Sequence, residues 1–281
     1  MKGSTDSSRT KAAGEPSGHS LLDAVREIAE AAGREIMAVY ESDFAVEHKA
    51  DTSPVTAADV VANRLIADRL AALEPALPVL TEETRAPAWC ERREWRRYWL
   101  VDPLDGTREF VKRNGEFSVN IALIDAGEPV LGVVLAPAID LEYAAVRGLG
   151  AWRYVDGHAE SIRVRSPVWP PTLALSRSHS SERELHLCET FDSPEIVRCG
   201  SSLKTCLIAE GQADLYPRLG PTSEWDTAAS QCVLEAAGGK LTDLSGRPLR
   251  YNTRDSLINP MFVAHNGMTL DFDRLHQIAA L

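Results

Sequence analysis

The sequence predicts a mixed α and β molecule of two unlike parts: an α+β half with an antiparallel sheet, then a smaller α/β half. Three observations carry this. Two segments near the N-terminus place apolar residues at helical spacing; from Tyr98 to Arg147 short β-rich runs alternate with Gly, Pro and Asp; beyond about residue 165, strand and helix patterns alternate. With 281 residues, 44% of them hydrophobic, a sizeable core is available. The expected organisation is a disordered tail over residues 1–19, an α+β unit with an antiparallel sheet over 20–165 and an α/β unit over 166–281, with the site between the two units.

In chain order, "LLDAVREIAEAAGREIMAVYE" from Leu21 reads as a long amphipathic helix rich in Ala and Glu. A second helix follows "SPVTAAD", where Thr56 and Asp59 have the spacing of a capping box and Val60, Leu65, Ile66, Leu70 and Leu73 form the apolar stripe. "YWLVD", "SVNIALID", "PVLGVVLAP" and "EYAAVR" read as strands joined by turns. The later part reads as strand "TLALSRS", a helix from Ser181, strand "EIVRCG", a helix over "SSLKTCLIAEG", strand "ADLYPRL" and a helix over "DTAASQCVLEAAGG". The stretch "RAPAWCERREW" is expected as a mobile loop.

A net charge of −11 repels a nucleic-acid backbone and argues against a polymeric nucleic-acid partner. The five cysteines are scattered and never form C-x-x-C, which fits reduced thiols better than a disulfide framework or a zinc site. The first residues are rich in Ser, Gly and charge, and no segment approaches eighteen unbroken apolar residues, so a cytoplasmic protein without a transmembrane segment is expected.

The chemistry concentrates in "WLVDPLDGTREF". Asp102 is expected where an apolar strand ends, with Pro103 turning the chain so that the carboxylates of Asp102 and Asp105 and the Leu104 carbonyl face one point. Two carboxylates and a carbonyl suit a hard cation such as Mg²⁺. Gly106 permits close backbone approach, and Thr107 is expected to open a short helix whose N–H groups face a phosphate. The plainer alternative is an Asp-Pro turn with a side-chain cap. Likewise Glu82 and Glu83 in "TEET" read either as a solvated pair or as further ligands, and Asp226 in "EWDTAA" as a helix N-cap or a ligand. The chain has no G-x-S-x-G, P-loop, H-E-x-x-H or G-x-G-x-x-G pattern. An acid-rich site with no marked nucleophile points to metal-activated water attacking a phosphate ester.

These residues resemble the signature set of the Mg²⁺-dependent, Li⁺-sensitive inositol monophosphatase superfamily: paired glutamates, "WLVDPLDGT" and a late "WDTAA". Within it, "KADTSPVTAAD", "YWLVDPLDGTREFVKRNGEFSVNIALI", "SRSH", "GSSLK", "AEGQADLYPRLGPTSEWDTAA" and "INP" are similar to the 3'(2'),5'-bisphosphate nucleotidase branch. The resemblance implies a layered α-β-α-β-α sandwich and a site with two or three Mg²⁺. It implies metal ligation by Glu82, Asp102, the Leu104 carbonyl, Asp105 and Asp226, and water activation by Asp59 with Thr107. Glu83 is implied to support the ligand set from behind, and Gly106, Thr107 and Asp226 to border the substrate. It further implies that His179, Ser201, Lys204 and Arg218 hold the second phosphate and the base. Gly115 and Glu116 of "KRNGEF" also repeat the branch pattern, with no role evident beyond a turn.

The function so implied is removal of the 3'-phosphate of adenosine 3',5'-bisphosphate to give AMP, with the 5'-phosphosulfate analogue also accepted, by in-line attack and no phosphoenzyme. An inositol monophosphatase or sugar bisphosphatase is the alternative enzyme; "GSSLK" and "YPRLG" argue against it, because a compact polyol has less need of a distant cationic pocket. A non-catalytic nucleotide-binding protein is the alternative of another class, and the presence of Asp59, Asp102 and Asp226 argues against that. Some relatives associate peripherally with the cytoplasmic face of the bacterial inner membrane.

Overall fold

The computed structural model describes residues 18–43, 45–48, 54–178 and 181–281. Of the expected tail, residues 1–17 lie outside these, as does His179, while Gly18 and His19 already belong to the first helix. That helix, α1 (Gly18–Tyr40), is followed by a small antiparallel pair, β1 (Glu47–His48) and β2 (Pro54–Val55), and by α2 (Ala57–Ala71). Next come β3 (Val79–Thr81), α3 (Trp89–Arg92), β4 (Arg97–Asp105), α4 (Thr107–Val111), β5 (Ser118–Asp125), β6 (Glu128–Ala136), β7 (Leu141–Val146), β8 (Gly150–Val155) and β9 (His158–Ser161). Strands β3 to β9 form a seven-stranded sheet in sequence order. It is antiparallel throughout except for the parallel β3–β4 edge. The second part consists of β10 (Thr172–Ser176), α5 (Glu182–Cys188), β11 (Glu195–Cys199), α6 (Leu203–Ala209), β12 (Leu215–Arg218), α7 (Ala228–Ala236), β13 (Lys240–Asp243), β14 (Phe262–His265) and α8 (Phe272–Ala279). Its five strands run in the order β11-β10-β12-β14-β13. The sheet is mixed: β10 is parallel to β11 and β12, whereas β14 is antiparallel to β12 and β13.

Each amphipathic face buries against its neighbour, which stacks the elements as alternating layers. Helices α1 and α2 cover one face of the large sheet, burying Leu22, Val25, Ile36, Ala62 and Ile66 against Trp99, Val101 and Ile121. Helices α6 and α7 lie between the two sheets, and one continuous apolar cluster spans both of their faces. Helices α5 and α8 close the outer face of the small sheet around Leu173, Leu187, Val263 and Leu275. The order is therefore α-β-α-β-α. Contact between the large sheet and the middle layer is close: a Cβ on Gly132 of β6 would lie 2.4 Å from the Ala229 carbonyl of α7, so this position requires glycine.

Helix α2 departs from its expected stripe. The buried line runs Ala58, Ala62, Ile66 and Leu70, four residues apart, whereas Val60 is 60% exposed. Ala58 and Ala62 are buried with Ile66 and Leu70 in the cluster that joins α1 and α2 to the large sheet, so the buried line passes through small as well as large apolar residues.

His265 reports on the small sheet. It is buried on β14 opposite Lys240 of β13, and burial first, then the Lys240 charge, pushes its imidazole from the ordinary 6.5 down to about 4. The folded state thus holds it neutral at a pH where the unfolded chain protonates it. That contribution is complete above pH 6.5 and is lost as pH falls towards 4. Between pH 7.5 and pH 5 the native protein is expected to lose about 1–2 kcal/mol more than a His265→Gln variant in urea unfolding. Parallel losses in the two proteins would show that His265 does not titrate in this way.

Candidate active site

The strand carrying the two aspartates does not stop at Pro103. It continues to Asp105 through a bulge, because Asp102 pairs with Asn120 and Asp105 with Ser118, leaving Pro103 and Leu104 opposite Val119 alone. This corrects the expectation of a chain turn at the proline: a proline that cannot donate to the ladder is accommodated by the extra residue. The bulge also decides where the carboxylates point. Residues three apart on a regular strand face opposite sides; one inserted residue restores the same side, as their partners two apart on β5 require. Asp102 Oδ1 then accepts from the Leu104 N–H at 3.0 Å.

Glu82 is brought alongside by the parallel β3–β4 pairing, its N–H donating to the Val101 carbonyl at 3.2 Å. Asp226 arrives from the second part on a single 3₁₀ turn, Glu224–Asp226, where its Oδ2 accepts from the Ser223 N–H at 2.8 Å. It therefore caps this turn and not α7, which begins at Ala228. Carboxylate oxygens of Glu82, Asp102 and Asp226 lie within 4.8 Å of one another. Asp102 is 1% exposed, and burial followed by the charges of Glu82, Asp105 and Asp226 holds its carboxyl well above the ordinary range. Asp226 borders the cavity yet is shifted in the same direction, by desolvation first and then by Asp105. Such crowded acids need protons or a cation, and an all-oxygen donor set favours a hard one. The residues therefore fit a divalent metal on their own chemistry.

Asp105 is held differently. Its Oδ2 accepts from Ser202 Oγ at 2.8 Å and lies 3.4 Å from Asn120 Nδ2, while Ser202 Oγ is also 2.6 Å from the Asp226 carbonyl. Burial raises the Asp105 pKa, and the Lys204 ammonium opposes that rise. Asp105 is not among the three acids that converge within 4.8 Å. Asn259 secures the Asp226 turn, donating from Nδ2 to the Ser223 carbonyl at 2.7 Å and towards Thr227 Oγ1 at 3.0 Å. Ser202 and Asn259 fall within the motifs "GSSLK" and "INP", but the sequence assigns neither a role; for Asn120 the available signal is a lone Asn inside the apolar run "SVNIALI".

Asp59 occupies the first turn of α2, where the expected capping box forms: its Oδ2 accepts from the Thr56 N–H at 2.7 Å and Thr56 Oγ1 at 2.8 Å. Its Oδ1 faces Thr107 Oγ1 at 3.5 Å, and that hydroxyl is 3.4 Å from the Leu104 carbonyl. Thr107 is the first residue of α4, and Gly106 precedes it in the left-handed conformation, φ 88°. A Cβ there would sit 3.3 Å from the Glu116 carbonyl. Glu83 lies in the turn after β3, partly buried.

Beside these groups lies a cavity of about 620 Å³ lined in part by Glu82, Thr107, Ser201, Lys204, Arg218 and Asp226. Lys204 is not an exposed helix lysine: it is 5% exposed, its ammonium donates to the Ser201 carbonyl and lies 5.3 Å from the Tyr216 ring centre, and burial lowers its pKa. Arg218 ends β12, with Nη2 donating to the Pro221 carbonyl at 3.0 Å and Nη1 3.9 Å from Glu184. Helix α6 begins at Leu203, so Ser201 and Ser202 form the turn before it. The segment expected as a mobile loop instead carries α3, whose Arg92 is buried and bonded to Asn252 and to the Arg254 and Asp255 carbonyls. Cation burial outweighs the loop-like composition there.

Residues 18–276 match the model of the inositol monophosphatase family. The 3'(2'),5'-bisphosphate nucleotidase CysQ of Escherichia coli K12 is 50% identical over 244 residues, covering 86% of this chain and 98% of the relative. The crystal structure of CysQ from Bacteroides thetaiotaomicron superposes with a TM-score of 0.78 at 36% identity, covering 90% of this chain and 99% of that one. A Thermotoga maritima IMPase superposes with a TM-score of 0.75 at 27% identity, covering 93% and 97%.

Proposed function

The chain belongs to the inositol monophosphatase family, and we propose that it is a Mg²⁺-dependent 3'(2'),5'-bisphosphate nucleotidase that hydrolyses the 3'-phosphate of adenosine 3',5'-bisphosphate to AMP and phosphate. The 5'-phosphosulfate analogue is accepted as a second substrate. The observation that carries this reading is the convergence of Glu82, the buried Asp102 and Asp226, of which Glu82 and Asp226 line a cavity that Lys204 and Arg218 also line. The acids suit a metal, and the cations suit a second phosphate. Residues 20–165 then supply most of the metal ligands, and residues 166–281 complete the pocket.

In this reading Glu82, Asp102, the Leu104 carbonyl, Asp105 and Asp226 hold two or three Mg²⁺, and Li⁺ inhibits. Divalent metal there supplies Lewis-acid charge for the phosphoryl and leaving oxygens and makes water more acidic. Thr107 Oγ1 orients the attacking water, and Asp59, whose Oδ2 is already occupied by Thr56, receives the proton at Oδ1. Ser202 and Asn120 fix the Asp105 carboxylate, and Asn259 fixes the Asp226 turn. Lys204, Arg218 and Ser201, which line the cavity, hold the second phosphate and the base together with His179, which lies outside the described residues. A cytoplasmic location with peripheral contact to the inner membrane rests on the family resemblance. Among the described residues no helix is long and apolar enough to cross a membrane.

Phosphate release from adenosine 3',5'-bisphosphate, inositol 1-phosphate and fructose 1,6-bisphosphate, compared with Mg²⁺, EDTA and Li⁺, tests the proposal. Strong preference for the nucleotide, lost with EDTA and suppressed by Li⁺, is expected. Preference for inositol 1-phosphate or the sugar would retain the metal site and overturn the nucleotide pocket.

A further inference from the structure

The turn Arg113–Glu116 takes no part in the chemistry above, yet it reaches across to the second part of the chain. Arg113 (φ 55°) and Gly115 (φ 78°) adopt left-handed backbone, which turns Glu116 towards the ends of β10 and β11. Three donors meet its carboxylate: Arg177 Nε and Nη2, each at 2.6 Å, and the Gly200 N–H at 2.8 Å. The same guanidinium donates to the Arg198 carbonyl at 2.7 Å, closing β10 against β11. Backbone contact is equally tight, since a Cβ on Gly200 would lie 2.5 Å from the Glu116 carbonyl. Nearby, Lys112 Nζ donates to Ser178 Oγ at 2.8 Å, and Arg113 donates to the Tyr40 and Ser42 carbonyls. The turn is thus anchored to α1 on one side and to the second part on the other.

What this holds is adjacent to the site. Gly200 leads into Ser201, itself left-handed at φ 45°, whose carbonyl receives Lys204, and into Ser202, whose hydroxyl bridges Asp105 and the Asp226 carbonyl. Arg177 and Ser178 immediately precede His179 in the chain. An isolated, partly exposed ion pair does little, but a bidentate Arg–carboxylate pair sharing its acceptor with a backbone N–H defines a geometry.

We propose that Glu116 and Arg177 form a positioning clamp that sets affinity for the part of the nucleotide remote from the scissile phosphate, by fixing Gly200 and the Ser201 carbonyl that receives Lys204, while Ser202 stays held by its own bonds to Asn120, Asp105 and the Asp226 carbonyl. The proposal rests on the nucleotidase reading. Glu116→Gln and Arg177→Met are each expected to raise KM for adenosine 3',5'-bisphosphate about 10–100-fold. Hydrolysis of p-nitrophenyl phosphate and the Mg²⁺-induced rise in Tm should stay close to wild type. The double variant should be no worse than the poorer single one, because both changes break one unit. Equal losses on both substrates, no change in KM, or single effects that multiply in the double variant would each overturn the clamp. A wild type with no preference for the nucleotide over p-nitrophenyl phosphate would instead overturn the nucleotidase reading, and the clamp's role with it.

Discussion

Asp102→Asn is expected to abolish measurable phosphate release, with kcat down by at least about 10²–10³-fold, while raising the Tm of the metal-free protein. The two effects have one cause. Asp102 is 1% exposed and lies among Glu82, Asp105 and Asp226, so its ionised form is disfavoured by burial and by repulsion. A carboxyl raised in the folded state destabilises increasingly as pH rises above its unfolded value near 3.8, and fully once pH exceeds the folded value. Asparagine keeps the size and an acceptor for the Leu104 N–H but not the charge. A gain in Tm at pH 8 in EDTA, shrinking at lower pH, is therefore expected by differential scanning fluorimetry. If the proposed site takes Mg²⁺, the native protein is expected to gain Tm with Mg²⁺, and that gain should largely disappear in the variant. A variant that still responds fully to Mg²⁺ would remove Asp102 from the ligand set.

Asp59→Asn is expected to lower kcat about 10²–10⁴-fold with little change in KM or in the Mg²⁺ response. Its Oδ2 already accepts from Thr56, both from N–H and from Oγ1, so the carboxylate is oriented by the cap and leaves Oδ1 towards Thr107. The amide oxygen can take over the cap interaction, which preserves α2 and isolates the loss of a proton acceptor. Single-turnover kinetics separates this from a binding defect. Near-normal kcat would assign proton removal to another group, and loss of the Mg²⁺ response would make Asp59 part of the metal site.

Candidate acids can be named from one chain because the chemistry restricts residue type, and three of them, Glu82, Asp102 and Asp226, converge in the fold. Asp102, Asp105 and Gly106 occur within five positions, and the capping box of Thr56 with Asp59 follows from local spacing. The main helices and strands were legible for the same reason, their periodicity being local. Errors arose where packing overrides a local signal. Val60 fits the expected apolar stripe of α2, but the buried line runs through Ala58, Ala62, Ile66 and Leu70 and leaves Val60 exposed. Pro103 was read as a stop, but the sheet absorbs it in a bulge. Arg92 sat in a stretch read as loop, yet its guanidinium finds partners 160 or more residues away.

Residue types and their order are properties of the chain, and from them an α+β half followed by an α/β half, the acid-rich chemistry and the likeness to a phosphatase family can be stated; the layered α-β-α-β-α sandwich is what that likeness implies. Which carboxylates converge depends on a register shift and on a turn arriving from another part of the chain: Glu82, Asp102 and Asp226 meet, while Asp105 turns to Ser202 and Asn120. The role argued for Glu116 likewise depends on Arg177 and Gly200, 61 and 84 positions further on. Such contacts form only when the two sheets and the helices between them are packed together, because nothing in local spacing encodes a distance between residues so far apart.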